Sequence, residues 1–151
     1  MSDKIRGALF NILGDIEGLS ILDAFGGTGA LGFEAISRGA ASVLIVESDM
    51  QAQKTIASNI RSLQLDKQVH LIKATTQAWL RTTDATYDIV LCDPPYTDLQ
   101  VSTLVELTKR TKQNGLFVLS YPGDLAAPEK IELELLKQQK YGDAQLLFYR
   151  T

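Results

Sequence analysis

Short apolar runs and helical stripes alternate along the first 120 residues of this chain. LSILDAF (19–25) is an apolar run ended by glycines and predicts a strand. GALGFEAISRG (29–39) sets Leu31, Ala35 and Ile36 on one face and stops at Gly39, the pattern of a helix closed by a C-terminal glycine. SVLIVE (42–47) does not alternate, as expected of a strand covered on both sides. Ile56, Ile60 and Leu63 then recur at helical spacing within 50–63. QVHLIK (68–73) predicts a third strand, TQAWLR (76–81) a short helix and YDIVLC (87–92) a fourth strand. A helix over about 98–112 and a fifth strand, GLFVLS (115–120), follow. Strand and helix in strict turn at this spacing predict an α/β fold, a parallel sheet with helices on both faces.

The tail breaks the rhythm. Ile131, Leu133 and Leu135 alternate with Glu132 and Glu134, Tyr141-Gly142-Asp143 has the composition of a turn, and AQLLFYR that of a strand. We read an antiparallel pair, 131–139 and 144–150, closing one sheet edge. The pattern also permits a helix over 129–138, since Ile131, Leu135 and Leu136 share a helical face.

Composition changes the picture only by exclusion. The 151 residues suit one domain spanning 1–151, with 45% hydrophobic and 22% charged residues. No signal peptide and no apolar run of membrane-spanning length is present, so a soluble cytoplasmic protein is expected. Cys92 is the lone cysteine and His70 the lone histidine, which leaves no disulfide and little for a soft metal; no metal is expected. A net charge of -3 argues against general nucleic-acid binding, while leaving room for a local patch.

The first chemical motif is DAFGGTGALGFEA (23–35), a strand, a glycine turn and a helix whose free N–H groups face the crevice beyond the strands. Gly27, Gly29 and Gly32 match GxGxxG, the weak signature of nicotinamide-dinucleotide enzymes. Four glycines in seven residues give up backbone entropy with no evident packing return, which suggests a ligand. Glu47, 24 residues after Asp23, ends the second strand where a carboxylate can accept both hydroxyls of a ribose. Asp23 discriminates between cofactors: it would repel a pyrophosphate and attract the ammonium of a methionine moiety. S-adenosylmethionine has that ammonium, a ribose and no phosphate.

The second motif is IVLCDPPY (89–96). Pro94 and Pro95 can continue neither a helix nor a sheet ladder, so they stiffen the turn that follows Asp93. The fourth strand ends beside the first in this topology, which brings Asp93 to the crevice of Asp23. An exocyclic amine on a base is a poor nucleophile because its lone pair is delocalised. A carboxylate (Asp93) and a carbonyl (Pro94) accepting its two N–H bonds would hold it in line with a methyl group, and Tyr96 offers a flat face for an unstacked base.

Together IRGALFNIL (5–13), DAFGGTGALGFEAISRGA (23–40), VESD (46–49), DIVLCDPPY (88–96) and YGDAQLLFYR (141–150) resemble the bacterial small-subunit (16S) ribosomal RNA guanine-N2 methyltransferase family, RsmD-like, within the class I S-adenosylmethionine-dependent methyltransferases. The resemblance implies a Rossmann-like, mostly parallel seven-stranded sheet with an antiparallel last strand. It also implies a monomer that methylates the N2 amine of one guanine in small-subunit ribosomal RNA within an assembling 30S particle. By the same resemblance Asp23, Phe25, Gly26, Gly27, Thr28, Gly29, Glu47, Ser48 and Asp93 contact the cofactor. Asp93, Pro94 and Tyr96 carry catalysis, while Arg6, Asn11, Pro95 and Tyr96 meet the substrate. DPPY also occurs in adenine-N6 methyltransferases, which use the same clamp, and a cofactor-binding assembly module without catalysis is the reading from outside enzymes.

Two departures from the family stand out. Its basic N-terminal hairpin, an RNA-gripping element, is absent ahead of IRGALFNIL, and Thr75 stands where the family has an aspartate facing the adenine amine. A hydroxyl accepts a hydrogen bond more weakly than a carboxylate, so weaker cofactor binding is expected. Trp79 reads as packing between its helix and the sheet, Cys92 as a buried, unreactive thiol, and Lys109, Arg110 and Lys112 as basic residues suiting a helix C-terminus.

Overall fold

The computed structural model describes residues 1–151. Its elements, in chain order, are α1 (Asp3–Leu13), β1 (Ser20–Asp23), α2 (Ala30–Ser37), β2 (Ser42–Glu47), α3 (Met50–Ser62), β3 (Val69–Lys73), α4 (Thr76–Leu80), β4 (Tyr87–Cys92), α5 (Val101–Thr108), β5 (Thr111–Pro122), β6 (Glu134–Tyr141) and β7 (Ala144–Arg150). They build one seven-stranded sheet in the order β3-β2-β1-β4-β5-β7-β6. The first five strands pair in parallel, and β7 runs antiparallel to both β5 and β6. No helix is long and apolar enough to cross a membrane.

Successive strand residues point to opposite faces, so the unbroken apolar strands feed two cores. Ile21, Ile45, Ile89, Leu91 and Val118 bury against Leu9, Phe10, Ala35 and Ile56 of α1, α2 and α3. Leu22, Val46, Val90, Phe117 and Leu119 bury against Trp79, Leu104 and Leu107 of α4 and α5. Side-chain caps start the helices where the apolar stripes begin: Ser2 accepts from the Ile5 N–H and Asp49 from the Ala52 N–H.

Three boundaries differ from the sequence reading. The helix expected over 98–112 covers only Val101–Thr108, because Gln100 lies at φ 43° and the apolar stripe ends with Leu107. The freed residues 111–114 enter β5 as an irregular extension, with a register shift between Tyr87 and Ile89. The antiparallel pair forms, but β6 begins at Glu134 rather than 131, since Ile131 is buried in a turn closed by its N–H to the Pro128 carbonyl. A second shift, between Leu135 and Lys137, leaves both Leu135 and Leu136 exposed on this outermost strand. Lys137 and Lys140 keep that edge charged.

Candidate active site

Neighbours extend in both directions from the β1–β4 pair, and connections leave it on opposite faces. A crevice opens at the carboxyl ends of such strands. Here it is a cleft of about 530 Å³, well within the range of ligand sites. Phe25, Gly27, Glu47 and Ser48 form its wall at the ends of β1 and β2, and Asp93, Pro94, Pro95 and Tyr96 form the wall after β4.

Asp23 lies under the floor. Its residue exposure is 0%, and neither carboxylate oxygen has a hydrogen-bond partner. Burial, followed by the negative charge of Asp93 and more weakly that of Glu47, pushes its pKa up to about 7. The amides of Phe25 and Gly32 face it and oppose the shift without reaching hydrogen-bond geometry. A buried, unpartnered carboxylate is costly, and a cation placed beside it would relieve that cost.

Glu47 is already at work in the protein. One carboxylate oxygen takes the Gly27 N–H at 2.7 Å and the other the Asp49 N–H at 2.7 Å. It therefore ties the glycine turn to the start of α3, and each oxygen keeps lone-pair capacity for a further donor from the cleft. Packing explains more of the glycines than the sequence suggested. A Cβ on Gly32 would sit 2.9 Å from Ile45 Cδ1 and 3.1 Å from Val43 Cγ1, and one on Gly26 would collide with Ile45. Gly29 combines a left-handed φ of 85° with contact to the Phe33 ring. Gly26 and Gly29 thus shape the turn from behind, Phe25 and Gly27 present it to the cleft, and Thr28 is exposed without lining it.

Beyond β4 the DPPY segment is held as a turn by the Asp98 N–H donating to the Pro95 carbonyl. Asp93 is half-buried and its carboxylate lines the cleft. No donor of the protein meets the Pro94 carbonyl. Tyr96 is 38% exposed, with its hydroxyl 2.7 Å from Ser120 Oγ. Burial raises the Tyr96 phenol pKa, an effect opposed by the Ser120 bond and reinforced by the charge of Asp93. Cys92 is buried behind this turn, and burial with the charges of Asp23 and Asp93 drives its thiol pKa well up, which makes it unreactive.

Three expected residues lie elsewhere. Thr75 is exposed and caps α4, accepting the Ala78 N–H at 3.1 Å; its neighbours Ala74 and Thr76 line the cleft instead. The short helix begins at this point, so one lone pair of the hydroxyl goes to a local amide. Arg6 bonds Asp3 at 3.0 Å and does not line the cleft. Asn11, exposed, stands six residues beyond Ile5, the last α1 residue on the cleft, or about 9 Å along the axis at 1.5 Å per residue. The basic trio is paired off: Lys109 with Glu106, Arg110 with Asp84, and Lys112 with Asp88.

Sequence reasoning missed Thr76 and Ser120. Thr76 donates to the Ala24 carbonyl at 2.6 Å and pins α4 to the end of β1. Ser120 ends the apolar run of the fifth strand and is 3% exposed. A hydroxyl at the carboxyl end of a parallel strand next to β4 was the available signal.

The family model described as conserved hypothetical protein 95 matches residues 1–150. Ribosomal RNA small subunit methyltransferase D of Buchnera aphidicola is 36% identical over 129 residues, which cover 82% of this chain and 65% of that protein. A conserved hypothetical protein of Streptococcus pyogenes has a similar structure, with a TM-score of 0.88 at 28% identity, over 97% of this chain and 94% of that one. An RNA methyltransferase from Salinibacter ruber, solved in complex with S-adenosyl-L-homocysteine, shares the fold at a TM-score of 0.72 and 12% identity, over 99% and 92% of the two chains.

Proposed function

Because the chain belongs to the conserved hypothetical protein 95 family, we propose that it transfers a methyl group from S-adenosylmethionine to the exocyclic N2 amine of a guanine in small-subunit ribosomal RNA. One observation carries the reading. Two carboxylates stand at the carboxyl ends of adjacent parallel strands at one cleft, Asp23 sealed and without a partner, Asp93 half-buried and lining it. The name of the Buchnera relative supports ribosomal RNA as the substrate.

The residues present fit the cofactor. Asp23 would be relieved by its ammonium, and Glu47 retains acceptor capacity for ribose hydroxyls. Phe25, Gly27 and Ser48 line the same wall, and the cleft has a volume suited to a nucleoside. When bound, the cofactor supplies a methyl group on a positively charged sulfur, an electrophile that needs no activation by the protein.

Work on the nucleophile falls to the second wall. Asp93 and the Pro94 carbonyl accept the two N–H bonds of the amine, which orients its lone pair and favours the positive charge that develops on nitrogen. The new carbon–nitrogen bond would form as the methyl carbon's bond to sulfur breaks and its electron pair stays on sulfur, and the amine proton facing Asp93 leaves along that hydrogen bond. Tyr96 carries the unstacked base. Nothing in this sequence of events needs a histidine or a metal. The reading makes the protein a cytoplasmic, monomeric enzyme of 30S assembly whose one catalytic domain spans residues 1–151.

Labelled methyl transfer to precursor small subunits, followed by nucleoside analysis, tests it. N2-methylguanosine is the expected product. N6-methyladenosine would reassign the target to adenine, and cofactor binding without transfer to any ribosomal RNA substrate would point to a non-catalytic assembly module.

A further inference from the structure

Tyr96 could stack a base only if its ring stood still. It follows the buried Pro94 and the exposed Pro95 on a turn, and with 38% of its surface exposed its ring is only partly held by packing. One contact reaches it from the sheet: its hydroxyl lies 2.7 Å from Ser120 Oγ. Ser120 is in turn immobile. It is 3% exposed, sits in β5 between the buried residues Leu119 and Tyr121, and pairs across the ladder with Leu146 of β7.

We infer that Ser120 is a positioning residue which holds the Tyr96 ring in place, and through it the target base above Asp93. The inference rests on the proposed reading of Tyr96 as the base platform. The geometry supplies the reason for placing a hydroxyl there. A phenol ring anchored at Cβ alone swings about its first side-chain torsion; the phenolic oxygen lies on the axis of the second, so the bond to Ser120 stops that swing and fixes where the ring stands. The far anchor belongs to the rigid centre of the sheet, whereas the near one belongs to the loop. Two hydroxyls share one mutual hydrogen bond, so one of their two protons stays free for an acceptor in the cleft, which Ser120 lines. Neither group is charged, so the bond orients the ring without adding to the charge at Asp93.

Four variants separate this role from a merely structural one: Ser120→Ala, Ser120→Thr, Tyr96→Phe and the double variant Ser120→Ala/Tyr96→Phe. The first readout needs no activity. In protein labelled with carbon-13 at tyrosine Cζ, the Tyr96 resonance is the one lost in Tyr96→Phe. It is expected to shift and broaden in Ser120→Ala and to return near its original position in Ser120→Thr. An unmoved resonance in Ser120→Ala overturns the inference, whether or not the protein methylates RNA. The second readout is methyl transfer at saturating cofactor. Ser120→Ala and Tyr96→Phe should each lower kcat about tenfold with cofactor affinity unchanged, Ser120→Thr should restore it, and the double variant should be no slower than either single one. Additive losses would overturn the inference. A wild-type protein that transfers no methyl group would sink the proposed function instead, with the resonance still deciding whether Ser120 sets the ring.

Discussion

Asp23 and Asp93 do different jobs because one is sealed and the other is open. Asp93→Ala deletes an acceptor that matters as charge develops on the amine. The single-turnover rate should fall about a hundredfold while cofactor affinity, measured by calorimetry, stays near wild type. Asp23 makes a prediction about stability. Its pKa is raised from 3.8 to about 7, so the folded state favours the protonated form. The stability tied to that proton is fully present below about pH 4 and is lost as the pH climbs through 7. Asp23→Asn keeps the shape and removes the titration. The apo variant should therefore gain over wild type in urea midpoint at pH 8 and differ little at pH 4, while losing cofactor affinity most at pH 8 and less at pH 4, where wild-type Asp23 is itself protonated.

At the scale of elements, the glycine turn and the helix starts decide where the site can be. Gly32 lets α2 lie directly on β2. In Gly32→Ala the new methyl meets Ile45 and Val43 at about 3 Å, which should cost about 1–3 kcal/mol and lower the thermal midpoint. Thr75→Ala separates two roles for that hydroxyl. As the cap of α4 its loss should cost about 1 kcal/mol of stability and leave the cofactor dissociation constant within about threefold. A large loss of affinity with stability intact would instead return Thr75 to the adenine side of the cleft.

For the molecule as a whole, charge sets how RNA can be held. The net charge of -3 opposes a polyanion overall, and Lys109, Arg110 and Lys112 are paired with acidic neighbours, which weakens that cluster as a phosphate grip. Binding of naked RNA should therefore be weak and only shallowly dependent on salt, and fusion of a basic hairpin segment ahead of α1 should tighten it and steepen the slope of affinity against salt. Titration at two salt concentrations checks both. The single-turnover rate at saturating substrate should hardly change, because that segment would act on docking and not on the amine.

The order of strands and helices was legible in the sequence because covered parallel strands are apolar without alternation and their helices carry a period of 3.6. The two acidic strand ends, the glycine turn and the stiff DPPY segment were legible too, since each is local in the chain and each residue type has few uses there. Tertiary structure alone decided the rest. Nothing in the chain around Glu47 says that its carboxylate closes on Gly27, 20 residues away, or that Ser120 meets Tyr96 across 24. Thr75 and Asn11 looked like site residues by position along the chain, but neither lines the cleft: the first caps α4 between two residues that do, and the second lies further along α1. A side chain's neighbours along the chain constrain its backbone, whereas its partners across the sheet depend on register and packing, and those exist only once the whole sheet has formed.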